Sequence, residues 1–99
     1  MLLARVTGTV VSSHKSDKLE GIRFLLLETI DPDSLNGKGA YVVAMDAVGA
    51  GKGEIVFFAA GSSARLTAVT KDKPADATII AIVDAIEKDG RYTYQKSEP

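Results

Sequence analysis

Apolar residues fall at alternate positions or in short unbroken runs along most of this chain, and glycine, proline, asparagine and aspartate punctuate the runs. That rhythm predicts strands separated by turns. Residues 3–12 alternate in part, with the β-branched Val6, Thr7, Thr9, Val10 and Val11, and form the first strand. A polar loop over 13–21 leads to a second strand at 22–30. Asp31-Pro32-Asp33 stops it, and Asn36-Gly37 supplies hairpin-turn chemistry before a third strand at 40–45. The fourth strand spans 54–60. Residues 62–69 read as one or two helical turns with a serine N-cap, and 71–76 as a charged linker containing Pro74. Residues 78–87 have the length and alanines of a helix. However, Thr78, Ile79, Ile80, Ile82, Val83 and Ile86 are β-branched, and Asp89-Gly90 makes a tight turn into 91–96, where Tyr92 and Tyr94 share a face. Strand, turn, strand is the better reading. The result is one domain over 1–99, mainly β, with five or six strands and one short helix in a small five-stranded antiparallel barrel.

Two of these strands carry more apolar residues than such a barrel can bury. Phe24 to Leu27 and Ile79 to Val83 are apolar at successive positions, whereas a barrel strand buries only its inward face. An outward pair from each run exposes roughly 200 Å² or more, worth several kcal/mol at about 25 cal/mol/Å². A thick core under the helix would absorb that surface. A subunit interface, with Ile80 in the outward set, accounts for it better.

Composition narrows the partners. The 99 residues carry a formal net charge of -1, which gives no general attraction to nucleic acid or to an anionic membrane. There is no cysteine, so disulfides and thiolate metal sites are excluded. The first residues are only briefly apolar and Arg5 interrupts them, unlike a signal peptide. No apolar run approaches the roughly 18–20 residues of a membrane span. These features fit a soluble cytoplasmic chain.

The stretch from Asp46 to Arg65 is rich in glycine and poor in catalytic residue types. It fails as a phosphate loop, because Lys52 follows Gly51 but Gly53, not serine or threonine, comes next. It fails as a dinucleotide fingerprint too, with Glu54 where a third glycine belongs. The glycines are better read as backbone devices. One histidine, no cysteine and scattered carboxylates assemble no nucleophile with a base and an orienting group, so no enzyme, cofactor or metal is expected. His14, in a polar loop, has no second ligand beside it.

Several blocks in this order carry a family resemblance: Val6-Thr7-Gly8-Thr9-Val10-Val11; Leu25-Leu26-Leu27 with Asp31-Pro32; Asp46 with Gly49-Ala50-Gly51 and Gly53-Glu54; Gly61-Ser62-Ser63-Ala64-Arg65; and Pro74 with Asp76-Ala77 and Ile82-Val83-Asp84. Together they resemble, over essentially the whole length, the pentameric shell-vertex proteins of bacterial microcompartments, of the carboxysome and ethanolamine-utilisation type. Ala75 departs from the family's usual valine and trims packing volume. The resemblance implies an OB-like barrel assembled as a ring of five, plugging the fivefold corners of a polyhedral shell and meeting hexameric shell tiles at its rim. A head-to-tail interface that closes after five copies supplies the fivefold defect that a flat sheet of hexamers needs in order to close.

Individual positions keep two readings each. Arg65 reaches across a subunit boundary or stays within its own chain. The 49–51 and 61–63 loops approach the ring axis or merely satisfy turn geometry. Asp76 and Asp84 are buried in hydrogen bonds or are surface carboxylates. The alternative function, an OB-type barrel holding single-stranded nucleic acid, needs stacking aromatics on a basic groove. Phe24, Phe57 and Phe58 lie in apolar runs and read as core, leaving Tyr41, Tyr92 and Tyr94 on a slightly acidic chain.

Overall fold

The computed structural model describes residues 1–12, 17–19, 21–71 and 76–96. Among the described residues seven strands form: β1 (Leu2–Val10), β2 (Phe24–Ile30), β3 (Gly37–Asp46), β4 (Ile55–Ala60), β5 (Ala77–Ile82), β6 (Ala85–Lys88) and β7 (Arg91–Gln95). The first five close a barrel in the order β1-β2-β3-β5-β4, and β6 and β7 make a separate two-stranded sheet. The predicted five-stranded, mainly β barrel is therefore present. One pairing differs: β5 runs parallel to β3, Met45 opposite Thr78 and Asp46 opposite Ile79, while the other pairs are antiparallel. Five strands that alternate in direction cannot close a ring with every pair antiparallel, so one seam is parallel, and β3 and β5 meet there because β4 intervenes between them in the chain.

Cross-strand partners trace the closure. Val10 opposes Phe24, Phe24 opposes Met45, Met45 opposes Thr78, and Thr78 opposes Ala59, whose neighbour Phe58 opposes Leu2. A circuit that leaves β1 at its last residue returns to it at its first. So large a stagger tilts the strands strongly and leaves an interior that side chains alone can fill. Ala4, Val6, Leu25, Leu27, Ala44, Val56, Phe58 and Ile79 fill it, none more than 2 % exposed. Each large member contributes about 1.5–3 kcal/mol by leaving water.

Four local expectations are corrected. The helix over 62–69 is instead a 3₁₀ turn at Gly61–Arg65; Ala60 takes the cap position, with no side-chain cap, so the serine N-cap is absent. Beyond it Thr67 Oγ1 accepts the Thr70 amide, a local bond that competes with helix continuation. The β2–β3 turn does not put Asn36-Gly37 at left-handed positions: Asn36 closes it, its carbonyl accepting the Asp31 amide, and Gly37 opens β3 opposite Ile30. Asp31 Oδ1 accepts the Asp33 and Ser34 amides, and the positive φ angles belong to Leu35 (64°) and Gly39 (75°). Leu35 tolerates the left-handed region because its side chain packs with Ile30 and Val83 in a second cluster. The strand predicted over 78–87 breaks at Val83-Asp84: β5 ends at Ile82, and the Val83 amide makes one further bond to the Ile55 carbonyl, where β4 begins. Asp89-Gly90 is the predicted tight turn, with φ 55° and 77°, joining Lys88 to Arg91. His14, Pro74 and Ala75 lie outside the described residues.

Candidate interface and glycine-loop site

The glycine loop after β3 is closed around carboxylates of its own. Asp46 Oδ1 accepts the amides of Val48, Gly49 and Ala50 at 3.0, 3.0 and 3.2 Å. Its other oxygen accepts Arg23 Nη1 at 2.9 Å, and Arg23 Nη2 donates to the Ala50 carbonyl. The Asp46 side chain is 3 % exposed. Glu54 Oε1 accepts the Gly51 amide, and Gly49 and Gly53 sit at φ 78° and 89°, where a side chain would strain the backbone. A phosphate loop aims its amides at a ligand. Here Asp46 and Glu54 already occupy those amides, so the loop is a backbone device. It also extends the barrel, since Val6 donates to the Glu54 carbonyl and accepts from Gly53.

The second glycine turn is pinned from beneath. Ala64 is fully buried, and its carbonyl accepts the hydroxyls of both Thr70 and Thr78 at 2.7 Å. Those threonines are fully buried too. Gly61, Ser62, Ser63 and Arg65 consequently face outward on a turn fixed to β5. Ala50, by contrast, is 1 % exposed and belongs to the core, so it presents no side chain to a partner.

The outward apolar surplus is narrower than the two runs suggested. Leu25 and Leu27 point into the core, while Phe24 is half-buried against Met45, Ala64 and their neighbours, and Phe57 is half-buried beside Leu3. Of the three phenylalanines read as core, only Phe58 is fully so. Ile82 packs on the main core, which leaves Leu26 and Ile80 as half-buried outward residues. Tyr41 and Val43 of β3 (58 and 47 % exposed) extend the patch, because Val43 lies directly opposite Leu26. The sequence reading missed them, although Tyr41-Val42-Val43 is another run of apolar neighbours. Asp76 and Asp84 are exposed carboxylates, and it is their backbone carbonyls that work, accepting the amides of Gly61 and Lys96. The buried reading of those two carboxylates is therefore corrected.

The β6–β7 hairpin stands on the barrel through loops. Ile86 and Tyr94 pack with Val83 on Ile55, Leu3 and Phe57. Lys96 donates to Glu54, Lys88 to Asp33, and Thr93 Oγ1 to the Pro32 carbonyl. The Lys96 ammonium and then the Gly51 amide hold the Glu54 carboxyl below its ordinary range, and Glu54 in turn raises Lys96. A surface groove of about 340 Å³ runs between the end of β1 and Ile22–Phe24, with Arg23 as its charged member. Among the described residues no cluster of histidine, aspartate and glutamate is placed to hold a metal, and no helix is long and apolar enough to cross a membrane.

Comparison with known proteins gives this architecture relatives along its whole length. The carboxysome shell vertex protein CcmL of Gloeobacter violaceus is 44% identical over 98 residues, which is 99% of this chain and 97% of that one. Its structure superposes with a TM-score of 0.93, covering 99% of this chain and 100% of that one. The ethanolamine utilisation protein EutN of Escherichia coli superposes with a TM-score of 0.87 at 40% identity, over 99% and 100% of the two chains. The GrpN pentameric microcompartment shell protein of Rhodospirillum rubrum does so at 0.78 and 39% identity, over 89% and 98%. The sequence model described as "Ethanolamine utilisation protein EutN/carboxysome" matches residues 1–84, and the chain belongs to that family.

Proposed function

We propose that this chain is a structural protein that forms homopentameric rings at the fivefold vertices of a bacterial microcompartment shell in the cytoplasm, with no catalytic role of its own. The observation that carries the reading is full-length kinship with proteins named as shell vertex proteins, one of them described as pentameric. The outward apolar residues Leu26, Ile80, Tyr41 and Val43 supply surface for a neighbouring copy. In a ring, two different surfaces of each protomer meet and the rotation closes. The rim of that ring meets hexameric shell tiles, and Arg65 with the 61–63 turn faces outward on a fixed support suited to a contact of that kind.

Native mass spectrometry at micromolar concentration tests the reading. Five protomers of 10.4 kDa each are expected. A monomer would remove the ring and leave the outward apolar residues without a purpose.

A further inference from the structure

Residues 85–96 differ from the barrel in how they are held. None of them is buried, whereas every barrel strand carries at least two buried residues. Among the described residues no main-chain hydrogen bond joins them to a barrel strand. The Lys96 amide instead closes the hairpin on itself, donating to the Asp84 carbonyl. A two-stranded sheet of this kind is marginal alone in water and depends on what its face rests against.

That support is slight. Ile86 and Tyr94, opposite each other across the hairpin, are half-buried on the cluster of Ile30, Ile55 and Val83. On the other face Glu87 and Tyr92, also a cross-strand pair, are exposed. Three polar ties complete the attachment: Lys88 to Asp33, Thr93 to the Pro32 carbonyl and Lys96 to Glu54. Lys88 and Asp33 are 50 and 54 % exposed, and ion pairs so open to water contribute little. Segments with few buried contacts open at a lower free energy than the fold as a whole.

Kinship marks the same boundary. The family's sequence model stops at Asp84, the residue before β6. The pentameric GrpN protein has counterparts for 89% of this chain while using 98% of its own, so it is pentameric without the remainder. Beneath the hairpin, Leu3 and Phe57 adjoin its seat and also line, with Met1 and Leu2, a surface groove of about 280 Å³. Lifting the hairpin joins that groove to the seat of Ile86 and Tyr94 in one apolar recess.

We infer that the β6–β7 hairpin is a strap that lifts as one unit about Val83-Asp84, uncovering its apolar seat while the barrel stays folded.

Hydrogen exchange of the full chain, resolved by peptide, tests this. Protection over 85–96 is expected to be at least about 100-fold below that of β2. Hairpin protection equal to that of β2 overturns the strap. Because the chain has no cysteine, Asp33→Cys and Lys88→Cys can be combined and joined by a short bismaleimide, which pins the hairpin to the β2–β3 turn. Pinning is expected to slow exchange over 85–96 at least tenfold relative to the unlinked double variant and to leave β2 unchanged. An unchanged rate overturns the strap, because the hairpin would then exchange by fraying while still seated. Tyr94→Ala is expected to speed exchange in β6 and β7 alike by tenfold or more. Acceleration confined to β7 overturns the single unit, and loss of the β spectrum in circular dichroism overturns the independence of the barrel. Native mass of the same samples reports ring formation separately, so the strap and the ring fail independently.

Discussion

Replacing Asp46 with alanine removes the acceptor around which the glycine loop is folded. Three amides lose their carboxylate, but not at equal cost. Val48 and Gly49 are exposed, so water takes over their donors, whereas Ala50 is 1 % exposed and its amide is left to a poorly hydrated site. An unsatisfied buried donor costs about 1–3 kcal/mol. Arg23 is 56 % exposed, so its pairing with Asp46 adds less than about 1 kcal/mol. The loop also carries Gly53, whose pairing with Val6 seals the barrel beside β1, so loosening it weakens that seam. A total of about 2–4 kcal/mol follows, a large part of the 5–15 kcal/mol typical of a domain. At about 4–8 °C per kcal/mol for a domain of this size, melting falls by roughly 8–32 °C. Urea unfolding gives the value directly, at fixed protomer concentration because ring formation adds mass action. Asp46→Asn keeps one oxygen acceptor and recovers about half. An alanine variant within about 0.5 kcal/mol of wild type would falsify the idea that this carboxylate organises the loop.

Other outcomes follow from the same geometry. Ile80→Glu places a charge in the outward apolar set; circular dichroism is expected to retain the β spectrum while native mass drops from ring to protomer, and an unchanged mass assigns the interface elsewhere. Thr78→Val removes one of two hydroxyls on the Ala64 carbonyl and costs about 1 kcal/mol, whereas adding Thr70→Val leaves that carbonyl without either and costs more than the sum of the singles; strict additivity in urea melts contradicts the shared acceptor. The Glu54–Lys96 clasp has a defined pH window. The lowered Glu54 pKa gives stability that is complete above 4.5 and lost as pH falls through the lowered value, and the raised Lys96 pKa gives stability complete below 10.5 and lost as pH rises through the raised one. The protection of the Gly51 amide, relative to its intrinsic exchange rate, is expected to fall at acid pH, and Lys96→Met to move that acid limb upward; a limb that stays in place detaches Glu54 from Lys96. Single-stranded oligonucleotides are expected not to bind at low salt, and salt-dependent binding would revive the nucleic-acid reading.

The sequence reading found the strands where side-chain pattern sets the structure, and lost accuracy where backbone hydrogen bonds set it. Alternation located β1, β2 and β4 to within about two residues. Asp89-Gly90 was legible because both residues tolerate positive φ. The β2–β3 turn was not, because Asp31 reaches two and three residues ahead to organise it and forces Leu35 into a conformation that leucine seldom adopts. The break at Val83-Asp84 falls where β5 runs out of β4 to pair with, at Ile55, and no local window contains that partner. At the candidate site the glycines were recognised as backbone devices, but the acceptor holding them, Asp46, was seen only as part of a motif. Asp76 and Asp84 misled because their contribution is a main-chain carbonyl, for which residue type carries no signal. The outward position of Ile80 was readable from its neighbours, and Tyr41 and Val43 were overlooked in a run of the same kind.

The β4–β5 ladder ends one position past the Val56–Ile82 pair, with the Val83 amide on the Ile55 carbonyl. Residues 85–96 add no strand to the barrel: Ile86 and Tyr94 pack on it, while Lys88 reaches Asp33, Thr93 reaches Pro32 and Lys96 reaches Glu54. Folding and fitting are thus written in consecutive stretches of chain. Residues 85–96 can be lengthened, recharged or exchanged for those of a relative without rewriting the barrel, so long as Ile86 and Tyr94 keep their apolar seat and three loop positions still find their lysine or hydroxyl. A vertex built this way is a fixed plug with a replaceable gasket, and engineered shells of altered composition can be approached by editing the gasket alone.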